Sequence, residues 1–162
     1  MRKGLVIGAL LAVAASATAA RASSMLDAMP PRVRQHLAEL AGGCEAHGGR
    51  RGDPTAAVEA VELDGDGTAD FILDEARYPC RGLENGAFCP ETGCSTAVHL
   101  SNHGRWRLAF DVVGSYCLDR SSTPARFLTV QRQYRIDGTP FILNVRYRFS
   151  RGLAVQDGRG RC

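Results

Sequence analysis

From residue 96 to residue 149 apolar and polar side chains alternate with a period of two, which restricts this part of the chain to half-buried β-strands. Thr96, Val98 and Leu100 share one face. Trp106, Leu108, Phe110 and Val112 share the buried face of the next strand, with Arg105, Arg107 and Asp111 outward. Asn102-His103-Gly104 predicts the turn between them, with glycine where positive φ is needed. A loop at 119–124 leads to a strand over 126–136. Asp137-Gly138 is a second tight-turn signal. Phe141, Leu143, Val145, Tyr147 and Phe149 then point inward, with Asn144, Arg146 and Arg148 outward. The tail from Ser150 reads as loop with a short strand at 153–155.

Before this region the period changes. Val33, Leu37, Leu40, Ala41 and Cys44 recur at threes and fours, which predicts a helix within 23–48. Ser24 or Asp27 can cap it, and Pro30-Pro31 suit its first turn. Gly42-Gly43 are expected to end it early. A breaker-rich loop follows at 48–54, then short strands at 56–62 and 69–76. Residues 79–94 show no period. The sum is an α+β fold, with an N-terminal helix packed on an antiparallel sheet of about six or seven strands. No βαβ alternation and no repeat occur, which argues against a dinucleotide-binding fold.

Six cysteines, Cys44, Cys80, Cys89, Cys94, Cys117 and Cys162, set the compartment. An even count in a short chain behind a leader implies disulfides. No second close pair accompanies Cys89 and Cys94 to make a zinc ribbon. Pairing is open, with Cys117–Cys162 favoured because it ties down the last residue, leaving four cysteines to staple 44–94. The leader is residues 1–22: a basic Arg2-Lys3, an apolar run from Gly4 to Ala15, and small residues permitting cleavage after Ala22 or Ala19. Residues 23–162 then form a single exported domain, periplasmic or extracellular, with no membrane span after cleavage.

The leader also accounts for the net charge of +3, because Arg2, Lys3 and Arg21 are its only charges. Residues 23–162 are neutral overall, which gives no case for nucleic acid. They are polarised, however: 13 acids and 6 arginines up to residue 100, then 4 acids and 11 arginines. Either the halves neutralise each other or the Arg-rich half faces an anionic surface. The first is favoured, since solvated strand faces are commonly charged. Arg132, Arg146 and Arg148 are the candidate binding residues on that half, for a protein partner of a monomeric chain.

The densest chemistry lies at 62–70, Glu62-Leu63-Asp64-Gly65-Asp66-Gly67-Thr68-Ala69-Asp70. A hard cation such as Ca²⁺ takes six to eight oxygens on a tightly turning backbone. Glu62, Asp64, Asp66, Asp70 and the Thr68 carbonyl can supply oxygens, and Gly67 permits the bend. The bidentate glutamate of an EF-hand would fall at Leu73, so the strict helical hand is excluded. Metal-free, the same residues make an ordinary hairpin turn.

From Asp64 to Phe71 the loop resembles the calcium loop of FG-GAP/VCBS-type repeats of exported bacterial proteins, which joins two strands. The resemblance implies binding through Asp64, Asp66, the Thr68 carbonyl and Asp70. Only one copy occurs, so no propeller is implied. The wider arrangement resembles small secreted bacterial proteins of uncharacterised function, a likeness that carries no activity with it.

Other constellations are thinner. His99 reads as an outward strand residue, His103 as an exposed turn residue, and His36 and His47 as lacking a partner motif. Asp74-Glu75 near Glu84 or Glu91 imitates a glycosidase pair without a readable groove. No nucleophile motif is present. The expectation is a non-enzymatic exported protein with a structural calcium-type loop, acting in binding or at the envelope. The alternatives are a periplasmic inhibitor or partner-binding module directed at a hydrolase and, behind it, a hydrolase with an unrecognised site.

Overall fold

A computed structural model describes residues 25–84, 87, 89–90, 93–102 and 105–161, and the statements below concern these. The leader expected at 1–22 lies outside them, as do His103, Glu91 and Cys162. One helical turn at 25–28 precedes helix α1 (Pro31–Ala46). Ten strands follow: β1 (Arg50–Arg51), β2 (Val58–Val61), β3 (Asp70–Asp74), β4 (Cys80–Arg81), β5 (Ser95–Asn102), β6 (Arg105–Val113), β7 (Ser115–Asp119), β8 (Arg126–Tyr134), β9 (Pro140–Ser150) and β10 (Leu153–Arg159).

The helix begins with Pro31 in its first turn, as its sequence predicts, but Asp27 does not cap it, and Ser24 lies outside the described residues. Pro30 holds the cap position and offers no side-chain bond. Nor do Gly42-Gly43 stop it, because Val33, Leu37, Leu40, Ala41 and Cys44 form a continuous buried stripe that carries the helix through them to Ala46. Packing and a bridge at Cys44, rather than capping, hold this element.

The single sheet of six or seven strands is corrected to three antiparallel sheets: β1-β4, β2-β3-β5-β6 and β10-β9-β8-β7. Gly114 separates the two large sheets. Its φ of 140° suits glycine, and an added Cβ would press on the Val130 carbonyl at 2.8 Å. The chain turns there from β6 into β7 and starts a new sheet instead of widening the first.

The layers run helix, four-stranded sheet, four-stranded sheet. Beneath the helix, Val33, Leu37 and Leu40 pack with Phe71, Leu73 and Ala97. Between the sheets, Ile72, Val98 and Leu100 pack with Phe127 and Phe149. All five residues of β3 are buried, because both faces of its sheet are covered.

A bulge corrects the face expected for β6. Val98 pairs with Phe110, but His99 pairs with Leu108, leaving Ala109 as an extra residue. One extra residue flips the alternation. Phe110 therefore faces the second sheet, Trp106 packs 5.0 Å from the Phe71 ring on the helix side, and Leu108 is left 46 % exposed.

Cys44–Cys80 and Cys89–Cys94 are disulfides, so four cysteines staple 44–94 as expected. Cys117 is also disulfide-bonded. The expected Cys117–Cys162 bridge involves a residue outside those described. No described cysteine is free, which fits an oxidising compartment. Among the described residues no helix is long and apolar enough to cross a membrane.

Candidate metal centre

The acidic stretch forms the hairpin connection between β2 and β3. Gly65 and Gly67 take φ of 87° and 79°, which side chains rarely adopt. Each bend is held by a carboxylate accepting from the backbone just ahead. Glu62 Oε1 accepts from Asp64 N at 3.1 Å and Gly65 N at 2.6 Å, and Asp64 Oδ1 accepts from Asp66 N at 3.2 Å. These are the local bonds that make Asp a turn residue.

Asp70 is different. It opens β3, is fully buried, and ties the hairpin to the sheet. Its Oδ2 accepts from Leu63 N at 2.9 Å and its Oδ1 from Ser101 N at 2.8 Å. Burial pushes its pKa up to about 6 in spite of these two donors. Burial also raises Asp64.

Of the five predicted ligands the structure brings three together. Glu62, Asp64 and Asp70 each place a carboxylate oxygen so that all lie within 4.8 Å of one another, an acidic triad able to bind a metal ion. Asp66 is not one of the three; it accepts from Thr68 N at 2.7 Å and from the Ser101 hydroxyl at 2.8 Å. Thr68, whose carbonyl is the fifth expected donor, is exposed on the same loop. Ca²⁺–oxygen bonds of 2.3–2.6 Å put oxygens on opposite sides of an ion at most about 5 Å apart, so the triad spans a distance that one such ion bridges.

The arginines divide differently. Register places Arg132, Arg146 and Arg148 on one side of the second sheet, with Tyr147 and Phe149 on the other. Arg146 is already engaged, donating to the Asp157 carbonyl at 2.9 Å and lying 3.5 Å from its carboxylate. Of the ion pairs among the described residues, only Arg120–Glu59 joins the Arg-rich half to the acidic half.

One histidine expectation is corrected. His99 is buried, not outward, because α1 covers the face of the first sheet on which it lies. Both its ring nitrogens lack a partner among the described residues, and burial lowers its pKa to about 4. His36 does have a partner: Nε2 lies 2.9 Å from Glu75 Oε1, a bond that raises the imidazole and lowers the carboxyl.

A polar hollow of about 250 Å³ where the two large sheets meet escaped the sequence reading. Tyr116 donates to Glu59 at 2.6 Å, Arg120 also bonds Glu59, and Asp74 lines the wall. Glu59 sits alone on a short strand and Tyr116 lies 57 residues on, so no local pattern marks the pair. Asp74 also accepts from Ala76 N at 3.0 Å and caps a turn. Glu75 turns to His36 and to Ser95 N.

Comparison of the chain with protein-family models, with curated proteins and with solved structures finds no match.

Proposed function

We propose that this is a non-catalytic exported protein whose β2–β3 loop holds a divalent cation, Ca²⁺ by donor chemistry, as a structural clasp for a domain that acts in binding. The observation that carries the reading is the convergence of Glu62, Asp64 and Asp70. All the donors are oxygen, which suits a hard cation over zinc or copper. A carboxylate as buried as Asp70 is costly to ionise alone, and a cation offsets that cost. The cation would join the hairpin to β5 through Asp70 and so stiffen the edge of the first sheet.

Melting in Ca²⁺ against chelator tests this. The melting temperature rises with Ca²⁺, by about 2.7 kcal/mol of stability at a hundred times the dissociation constant. Asp64→Asn removes the difference while leaving the Asp66–Ser101 bond in place. An identical melting curve in Ca²⁺ and chelator rejects the clasp.

A second reading, a partner-binding or inhibitor module acting on a hydrolase, is favoured by a specific feature. Beyond Val130 and before Val145, β8 and β9 pair only with each other, so residues 131–143 form a two-stranded arm. Tyr134 is 64 % and Ile142 57 % exposed on it, beside Arg132. Binding of a purified hydrolase that is lost on Arg132→Glu or Arg148→Glu supports this reading. Binding unaffected by both changes excludes this surface.

A further inference from the structure

The loop 48–54 and α1 enclose a cleft of about 310 Å³ remote from the acidic hairpin. One wall is a helix stripe, Arg34, Leu37, Ala38 and Ala41, spaced i, i+3, i+4 and i+7. The space exists because positions 38 and 41 carry only methyl groups. The other wall is Arg51, Gly52 and Pro54, with Tyr78 buried behind them.

This wall is pinned in place. The Cys44–Cys80 disulfide joins the end of α1 to β4. A Cβ at Gly49 would collide with the Cys80 sulfur, and one at Gly52 with the Pro79 carbonyl. The loop therefore lies flat against the bridge and cannot fall into the cleft. Preformed, mostly apolar concavities of this size suit small ligands.

The rim charge selects among them. Arg51 is bound by Glu45 through two contacts of 2.7 Å. The Arg34 side chain makes no hydrogen bond or ion pair with any described residue, and no carboxylate lines the cleft. An apolar trough with one unspent guanidinium at its mouth complements a molecule that is apolar at one end and anionic at the other. A sugar would leave its hydroxyls unpaired on these walls, and a cation would meet two arginines.

We infer that this cleft binds a small amphipathic carboxylate, with the alkyl or aryl part over Ala38 and Ala41 and the carboxylate on Arg34. The arginine fork matches a carboxylate in two-point contact.

Titration of ¹⁵N-labelled protein with octanoate and with 1-octanol, its neutral counterpart, tests the assignment. Octanoate binds saturably and about fivefold more tightly than octanol, the range of one partly exposed ion pair. The amide shifts centre on 34–41 and 51–54. Arg34→Gln brings octanoate down to the octanol affinity and leaves octanol unchanged. Ala38→Leu, on an exposed position the helix tolerates, fills the cleft and abolishes both. Equal affinities, retained binding in the Ala38→Leu protein, shifts centred on the 131–143 arm, or no saturable binding of octanoate would each overturn the inference.

Discussion

The two large sheets are both four-stranded and antiparallel, yet they obey different rules. The first, β2-β3-β5-β6, is covered by α1 on one face and by the second sheet on the other. Its central strand is buried at every position. The second packs on the first through the face of Phe127 and Phe149, and its longest hairpin runs on past its neighbours. Of the buried polar residues Asp70, Asp74, Thr96, His99, Ser101 and Thr129, all but Thr129 belong to the first sheet. Covering both faces leaves polar groups no water, so each must find a partner or shift its pKa. That is why the candidate chemistry gathers in the first sheet, while the second offers surface.

Substitutions can break this comparison or sharpen it. The largest effect is expected where the two sheets share a core. Phe127 is fully buried between Tyr116, Phe110 and Phe149. Phe127→Ala should cost about 3–5 kcal/mol in urea unfolding, because it opens a cavity against both sheets at once. Next comes the bridge of the first region. Cys44→Ala with Cys80→Ala frees a loop of 36 residues, and about 2–4 kcal/mol should be lost. Amide exchange should then quicken in α1 and β1 far more than in β8 and β9. Uniform quickening would mean that the two regions unfold as one.

The third test is acid. His99 has a folded pKa near 4 against about 6.5 unfolded, so the unfolded chain binds the proton first. Stability from this group is full above pH 6.5 and falls as pH drops towards 4, by up to about 3 kcal/mol. Arg32 and His36 on the helix above also oppose a charge on the ring. Asp70, raised to about 6, has the opposite sign: its contribution is greatest in acid and falls as pH rises from about 4 to 6. The informative quantity is therefore wild type minus His99→Leu, which should decline from pH 7 to 4. A flat difference would show that the ring is solvated or bonded. Smallest is the arm: Ile136→Ser and Ile142→Thr should change stability by no more than about 0.5 kcal/mol, as exposed sites do. A loss comparable with Phe127→Ala would mean that the arm is not free.

Local patterns were legible in the sequence, and long-range ones were not. The β2–β3 hairpin, the helix stripe and the alternation of β9 follow from neighbours a few residues apart. The three convergent carboxylates also lie on one short stretch, so their approach could be anticipated. The sheet split could not, because it depends on Gly114 meeting Val130 across a different strand. Nor could His99 be placed, since its burial follows from α1 lying over that face of the first sheet. Glu59 and Tyr116 meet only when the second sheet folds back over the first. Asp66 was expected among the ligands, and its bond to the hydroxyl of Ser101, 35 residues on, is a contact no local pattern marks.

The bulge at Ala109 bears on heredity as much as on geometry. Residues on either side of it follow opposite counting schemes, one aimed at the helix and one at the second sheet. A substitution there alters one side chain, whereas a deletion renumbers every residue between it and the turn, sending Trp106 to the wrong layer. Among descendants of this chain, the interval from Trp106 to Phe110 is thus a trait of length rather than of composition. A lineage that lost one residue there would need a compensating gain on the same strand to keep both cores.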